Sequence, residues 1–286
     1  MKGIITIAGY GTRFLPASKA IPKELFPIAG VPLIQYHVEN LVAGGITEII
    51  IVVRGGSGVI QRHFAPVPEL EEHLAAQGKT ALLEEVRRIS GLANIIFVRQ
   101  PESLPYGNAS PALAARPWLT PGEPFYYVFG DDIVIGDTPV SRQLLDAFDR
   151  FRPAAVVAVQ RVADEETHLY GCVKLKPGSD HEMAGIVEKP APGTAPSNWV
   201  QIGHFIFTPE LFEVLATLKP GRCGELWLAD GVDRLAACST VIAQPVEGQW
   251  MAAGDPLHHL KACIAASLRR PDMRDELIAY LRSLEL

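Results

Sequence analysis

The chain has 286 residues, 48% of them hydrophobic, and carries 26 Lys and Arg against 32 Asp and Glu for a net charge of −6. That fits one large globular domain or two small ones and argues against a disordered chain or a disulfide-stapled miniature. A mildly acidic chain with no basic run offers no field to gather polynucleotides, and no apolar segment reaches the ~20 residues of a membrane span.

The elements read as follows in chain order. Gly3–Ala8 is a short β-rich apolar run, too short for the hydrophobic region of a signal peptide, so the cytoplasm is the expected compartment. Leu33, Ile34, Val38, Leu41 and Val42 recur at helical spacing and predict a helix over 32–43. Glu48–Val53 is a nearly continuous Ile/Val run, as in a strand buried on both faces. Residues 69–89 are charged and periodic and predict one long surface helix. Strands follow at 94–98 and 125–129, a helix near 141–151 and a strand at 154–159. This β-α-β order predicts a mainly parallel sheet with helices on both faces. After about Gln160 the pattern changes to short strands at 170–176, 183–188 and 200–207. Helices at 209–218 and 225–238, a strand at 240–245 and two terminal helices, 256–268 and 273–284, complete the chain. No clear linker separates the halves, so the second half reads as an elaboration of the same sheet and as the second wall of a cleft. Cys172, Cys223, Cys238 and Cys263 show no C-x-x-C spacing and no Cys/His cluster, so they are expected as free thiols and small buried hydrophobes.

The informative segment runs from Ile7 to Pro27, I-A-G-Y-G-T-R-F-L-P-A-S-K-A-I-P-K-E-L-F-P. Gly9 and Gly11 let the backbone turn tightly and approach a ligand, and successive N–H groups in such a turn attract anions. Arg13 adds a planar, permanently charged fork suited to phosphate. Pro16, Pro22 and Pro27 stiffen the stretch that carries Lys19 and Lys23. A dinucleotide fingerprint would need glycine where Phe14 stands, which weakens a nicotinamide-dependent dehydrogenase, and no P-loop pattern occurs. An ordinary strand-to-loop turn with solvated lysines is the bland alternative, and for Lys19 it is the better one. Two further places carry chemistry. Asp131, just past the strand at 125–129, is a hard oxygen donor suited to Mg²⁺ and equally able to cap a turn. Glu188 and Lys189, before Pro190, can serve sugar hydroxyls and a phosphate or form a strand-end ion pair.

G-x-G-T-R followed by P-K-x-x-x-P resembles the signature of sugar-nucleotide pyrophosphorylases. Leu15–Glu24 is similar at every position to the L-P-A-[ST]-K-A-I-P-K-E of the bacterial UTP–glucose-1-phosphate uridylyltransferase family, and the likeness continues through 32–36, 43–49 and 185–198. The resemblance implies an α/β, Rossmann-like three-layer αβα nucleotidyltransferase fold, glycosyltransferase-A-like, with a mixed, mainly parallel central sheet. It implies a single domain over 1–286, with a nucleotide-binding half at 1–160 and a sugar-binding half plus C-terminal helices at 161–286. The implied reaction joins a uridylyl group from UTP to glucose 1-phosphate with Mg²⁺ as cofactor, in a homodimer or homotetramer. Use of dTTP or another sugar 1-phosphate, and a non-catalytic nucleotide-sugar-binding role on the same fold, are the alternatives.

Carried over residue by residue, the resemblance assigns catalytic roles to Arg13, Lys23 and Lys189. It assigns nucleotide contacts to Ala8, Gly9, Gly11, Thr12, Gln100 and Gly107. Sugar contacts fall on Gly171, Glu188 and Gly203, and metal ligation on Asp131, with Asp230 as a second ligand balanced against an ordinary helix-face aspartate. Asp132 is read as a turn residue. The chain departs from the family at Leu104-Pro105-Tyr106, where a Lys-Gly-Leu-like stretch is usual, at Asn108 in place of His, and at Ala229 in place of Thr. Ala252 stands where the family commonly has an aspartate two residues before a glycine.

Overall fold

The computed structural model describes residues 1–55, 58–221 and 224–284. Strand β1 (Lys2–Ile7) runs through the glycine loop to a small ribbon, β2 (Pro27–Ile28) and β3 (Val31–Pro32), and into helix α1 (Leu33–Ala43). Then come β4 (Glu48–Val53), α2 (Gly58–Phe64), α3 (Pro68–Ala76), α4 (Thr80–Ser90) and β5 (Asn94–Arg99). The stretch α5 (Ser110–Ala115), β6 (Phe125–Phe129), β7 (Asp132–Ile135), α6 (Val140–Phe151) and β8 (Ala155–Arg161) follows. The remainder holds β9 (Gly171–Leu175), β10 (Met183–Glu188), β11 (Trp199–Phe207), α7 (Glu210–Thr217), α8 (Leu228–Cys238), β12 (Val241–Pro245), β13 (Gln249–Ala252), α9 (Pro256–Leu268) and α10 (Pro271–Ser283).

A nine-stranded sheet forms the middle layer, in the order β5-β4-β1-β6-β11-β9-β10 with β8 and β12 branching from β11. Strands β5, β4, β1 and β6 are parallel. β11 joins antiparallel to β6 and, along its other edge, to β8, with a register shift in the latter pairing between Gln201 and Phe205. Alternation along the strands explains the layering. Ile4, Ile50, Val52 and Tyr127 point into one core beneath α5, α7 and α8. Ile5, Ile49, Ile51, Val53 and Tyr126 point into the other, beneath α1 and α6. Both faces are covered, so the parallel strands lack a polar face. This is the expected α/β three-layer architecture, and strands from the second half do extend the same sheet.

Three differences from the sequence reading have identifiable causes. The single helix expected over 69–89 is two, α3 and α4. Gly78 takes φ 65°, and the Lys79 N–H to Leu74 and Gly78 N–H to Ala75 hydrogen bonds close a left-handed C-terminal cap that periodicity does not register. The helix expected from Glu225 begins at Leu228, which leaves Glu225 and Trp227 to line a cavity. The ribbon of β7 and β13, absent from the reading, pairs four residues with four others far along the chain, with Asp132 opposite Ala252. Of the cysteines, Cys172 is buried, Cys263 half-buried and Cys238 exposed, all as free thiols. The burial expected of Cys238 is thus wrong, because it ends α8 facing outward; Cys223 lies outside the described residues.

Candidate active site

The four parallel strands end at one edge of the sheet, and the residues just beyond them converge. Ala8 and Gly9 follow β1, Arg54 follows β4, Gln100 follows β5, and Asp131 comes two residues after β6. A cavity of about 370 Å³ opens there, lined by these residues with Gly11, Thr12, Arg13, Lys23, Glu24, Tyr106, Gly107, Trp227 and Gly254 among others. Ligands of open α/β sheets bind at this edge because the strand ends and their loops leave a crevice there.

The glycine loop is held from within. Gly11 is left-handed at φ 63°, and its carbonyl accepts from the Phe14 N–H at 3.0 Å and from Ser18 Oγ at 2.8 Å. Thr12–Phe14 form one 3-10 turn, which carries Arg13 outward to the cavity. Lys23 Nζ lies 2.6 Å from Asp131 Oδ2, and an Arg13 guanidinium nitrogen lies 3.7 Å from the same oxygen. The Lys23 side chain is only 12% exposed, whereas that of Arg13 is 64% exposed, so the first is structural as well as electrostatic and the second is free to meet a ligand.

Burial works to raise the Asp131 carboxyl, but the Lys23 and Arg13 cations overrule it and hold Asp131 below the ordinary carboxylate value. Lys23 is raised in turn: burial opposes its charge, and Asp131 with Glu24 more than compensates. Glu24, beside Lys23, is pushed by burial up to about 7. Asp132 goes well above the usual range, because it is buried and sits next to the Asp131 charge. It is the first residue of β7 rather than a turn residue, and Trp250 Nε1 donates to its Oδ1 at 2.9 Å.

Behind this turn lie two buried histidines. His204 Nε2 is 3.0 Å from the Asp132 carbonyl, and its Nδ1 is 2.9 Å from the Tyr126 hydroxyl. The carbonyl can only accept, so Nε2 carries the proton and Nδ1 accepts from Tyr126. His37, on α1, lies beside His204, with ring centroids 6.2 Å apart. Burial lowers His37 to about 4 and His204 to about 3, so both are neutral at physiological pH, and His204 holds the Asp132 carbonyl without adding charge.

The second wall comes from β9, β10 and the start of α8. Glu188 and Gly171 are cross-strand partners, and the Glu188 carboxylate fills the space a Gly171 side chain would need. Lys189 takes φ 46°, a strained conformation for a side-chain-bearing residue, and places its ammonium 5.3 Å from the centre of the Trp227 ring. Burial raises Glu188, with Lys189 opposing and Asp230 adding to the rise.

The structure therefore brings Ala8, Gly9, Gly11, Thr12, Arg13, Lys23, Gln100, Gly107 and Asp131 around one cavity. Lys189 is not part of that lining and reaches it through Trp227. Glu188 and Gly171 lie together on the Lys189 side. Gly203, at φ 76°, backs onto the Asp132 carboxylate, which occupies the place of a Cβ. Asp230 is not among the residues that line this cavity. It sits in the first turn of α8, where a carboxylate complements the helix dipole, and interacts with Asp233 and Glu188.

Residues 2–264 match the family model described as nucleotidyl transferase. This chain belongs to the nucleotidyl transferase family. It is 40% identical to the UTP–glucose-1-phosphate uridylyltransferase of Bacillus subtilis, over 99% of this chain and 96% of that one. It is 42% identical to UTP–glucose-1-phosphate uridylyltransferase 2 of Staphylococcus saprophyticus, over 100% and 98%. Among solved structures, a UTP-bound UGPase from Acinetobacter baumannii superposes with a TM-score of 0.88 at 30% identity, covering 99% of each chain.

Within this nucleotidyl transferase, sequence reasoning missed several site residues. Asp132, Glu24 and Trp227 stood inside recognised motifs, and only packing shows their roles. Tyr10 and Tyr106 were visible as aromatics in the glycine loop and in the departing 104–106 stretch. Arg54 had a usable signal, a lone cation ending a continuous apolar strand. His37 and His204 lie in ordinary helix and strand patterns, and nothing in them pointed to the site.

Proposed function

We propose that this nucleotidyl transferase is a UTP–glucose-1-phosphate uridylyltransferase that makes UDP-glucose and pyrophosphate. The observation that carries this reading is the cluster of Lys23, Arg13 and Asp131 at the parallel strand ends, across a cavity from the Trp227 ring that Lys189 faces. Its relatives' names supply the substrates; the geometry supports two phosphate-bearing ligands meeting at one place. Residues 1–160 are assigned to the nucleotide and 161–286 to the sugar phosphate.

In the proposed reaction a phosphate oxygen of glucose 1-phosphate attacks the α-phosphorus of UTP. A new P–O bond forms as the bond to the β-phosphate bridging oxygen breaks, and pyrophosphate leaves with that electron pair. No protein nucleophile is needed; the obstacle is repulsion between two polyanions, and positioned cations remove it. Arg13 and Lys23 meet the triphosphate and the departing pyrophosphate. Lys189 steers the attacking phosphate, and Glu188 accepts from sugar hydroxyls beside Gly171. Ala8, Gly9, Gly11 and Thr12 present backbone to the nucleotide, while Gln100 and Gly107 meet the base.

An ionised carboxylate facing a polar cavity fits Mg²⁺, which takes its other positions from waters and substrate phosphates. Among the described residues no group of three His, Cys, Asp or Glu forms an all-protein cage. Asp131 would hold the ion, and bound Mg²⁺ would supply neutralisation of phosphate charge. The resemblance also supports a cytoplasmic homodimer or homotetramer, which sedimentation would check. No helix among the described residues is long and apolar enough to cross a membrane.

The test is product formation from each nucleoside triphosphate paired with several sugar 1-phosphates. UDP-glucose from UTP and glucose 1-phosphate, at the highest kcat/KM, is expected. A preference for dTTP, or for another sugar, would move the chain to a related nucleotidyltransferase, and no turnover with any pair would refute the enzyme reading.

A further inference from the structure

The 104–106 departure from the family pattern is not absorbed by the reaction just described, and it leads to a cluster at the mouth of the cavity. Three separate segments meet there: Tyr10 from the glycine loop, Arg54 from the end of β4, and Tyr106 from the loop after β5. The tyrosine rings are nearly parallel, 23° apart in plane, with centroids 6.1 Å apart. The Arg54 guanidinium carbon lies 4.6 Å from the Tyr10 centroid and 5.3 Å from the Tyr106 centroid. Arg54 is itself anchored, because its Nε donates to the Ala8 carbonyl at 3.0 Å.

We infer that Tyr10, Arg54 and Tyr106 form a stacking platform for the base of the nucleoside triphosphate. Rings that served only to lock the loops together would be covered, yet Tyr10 is 65% and Tyr106 45% exposed. A planar cation across two aligned rings holds them in place before any ligand arrives, which reduces the ordering cost of binding. All three side chains line the same cavity as Gln100, which is buried, and as Lys23 and Arg13 further along. A nucleotide whose phosphates sit on those cations has its base within the aromatic end. Every base has a π face, so the platform adds affinity without choosing among bases. Choice falls to the Gln100 amide, which offers a donor and an acceptor. Tyr10, Arg54 and Tyr106 are therefore affinity-determining residues, and Gln100 determines specificity.

The proposal rests on the nucleotidyl-transfer reading in taking a nucleotide as ligand, and the experiment separates the two. UTP and CTP binding without sugar phosphate is measured by calorimetry on the wild type, Tyr106→Ala, Tyr106→Phe, Tyr10→Ala and Gln100→Ala, alongside steady-state turnover. Tyr106→Ala and Tyr10→Ala are expected to weaken UTP and CTP alike by about 5- to 100-fold, the range of one lost base stack. That loss falls on the triphosphate KM rather than on kcat or the glucose 1-phosphate KM. Tyr106→Phe restores binding, and Gln100→Ala changes the UTP-to-CTP ratio instead. If either alanine variant binds UTP as tightly as the wild type, even with a lower melting temperature, the rings merely pack the loops and the platform is overturned. If the alanine variants lose UTP affinity but the wild type turns over no sugar phosphate, the platform stands and the enzyme reading falls. A wild type that binds no nucleotide overturns both.

Discussion

Two lysines face the same cleft in opposite ways. Lys23 is nearly buried and already has its counter-ion, Asp131, at 2.6 Å, with Glu24 beside it. Lys189 sits at the end of β10 on a strained backbone, with an aromatic face rather than a carboxylate beneath its ammonium. The first is a prebuilt charge centre that folds as a unit, so any change there disturbs stability and chemistry together. The second is a cation held ready, whose loss is felt when its ligand binds.

The largest expected effect follows from the charge centre. Asp131→Asn removes the ionised donor and is expected to abolish Mg²⁺-dependent turnover; a Mg²⁺ titration of pyrophosphate release checks it, and near-normal activity would take Asp131 out of the site. Lys23→Ala is expected to cost ~10²–10³ in rate, as losses of preorganised charge commonly do. It is also expected to lower the melting temperature, since Asp131 is left without its nearest partner. An unchanged melting temperature would erase the contrast with Lys189.

Smaller effects probe the wall behind the Asp131 turn. His37 and His204 are lowered by burial to about 4 and about 3, below their ordinary value of 6.5. Their neutral forms are favoured by folding, so their contribution is complete above pH 6.5 and is lost as pH falls through 4 and 3. Melting temperatures are expected to drop across that window in the wild type and less steeply in His204→Gln, which keeps a donor for the Asp132 carbonyl. The smallest effect concerns Glu24, raised from 4.5 to about 7. Folding favours its protonated form, so stability declines as pH rises from 4.5 through 7. Glu24→Gln is expected to melt higher than the wild type at pH 8, with the gap closing near pH 5.

The contrast between the two walls also divides what the sequence made legible. Strands such as Glu48–Val53 and Phe125–Phe129 were readable to the residue because continuous apolar runs have one solution in a two-sided sheet. The glycine loop, Arg13, Lys23 and Asp131 were readable because their chemistry is local, a tight turn and charges within one stretch or at a strand end. What escaped depends on distance. Asp132 becomes a half-buried acid with a raised pKa because β13 brings Trp250 beside it and Gly203 leaves room. His204 reaches the Asp132 carbonyl across 72 positions of chain, and Tyr10 meets Tyr106 only after β1, β4 and β5 align. Asp230 keeps both of its sequence readings: it is an acidic residue in the first turn of α8, and a second metal ligand remains the other expectation.

The most direct test of the central claim is to measure the Michaelis constants for both substrates in Lys189→Ala. If two differently built cations serve one cleft, the constant for glucose 1-phosphate rises well above that of the wild type while the one for UTP stays near it. An equal rise in both, or no rise in either, would contradict the account.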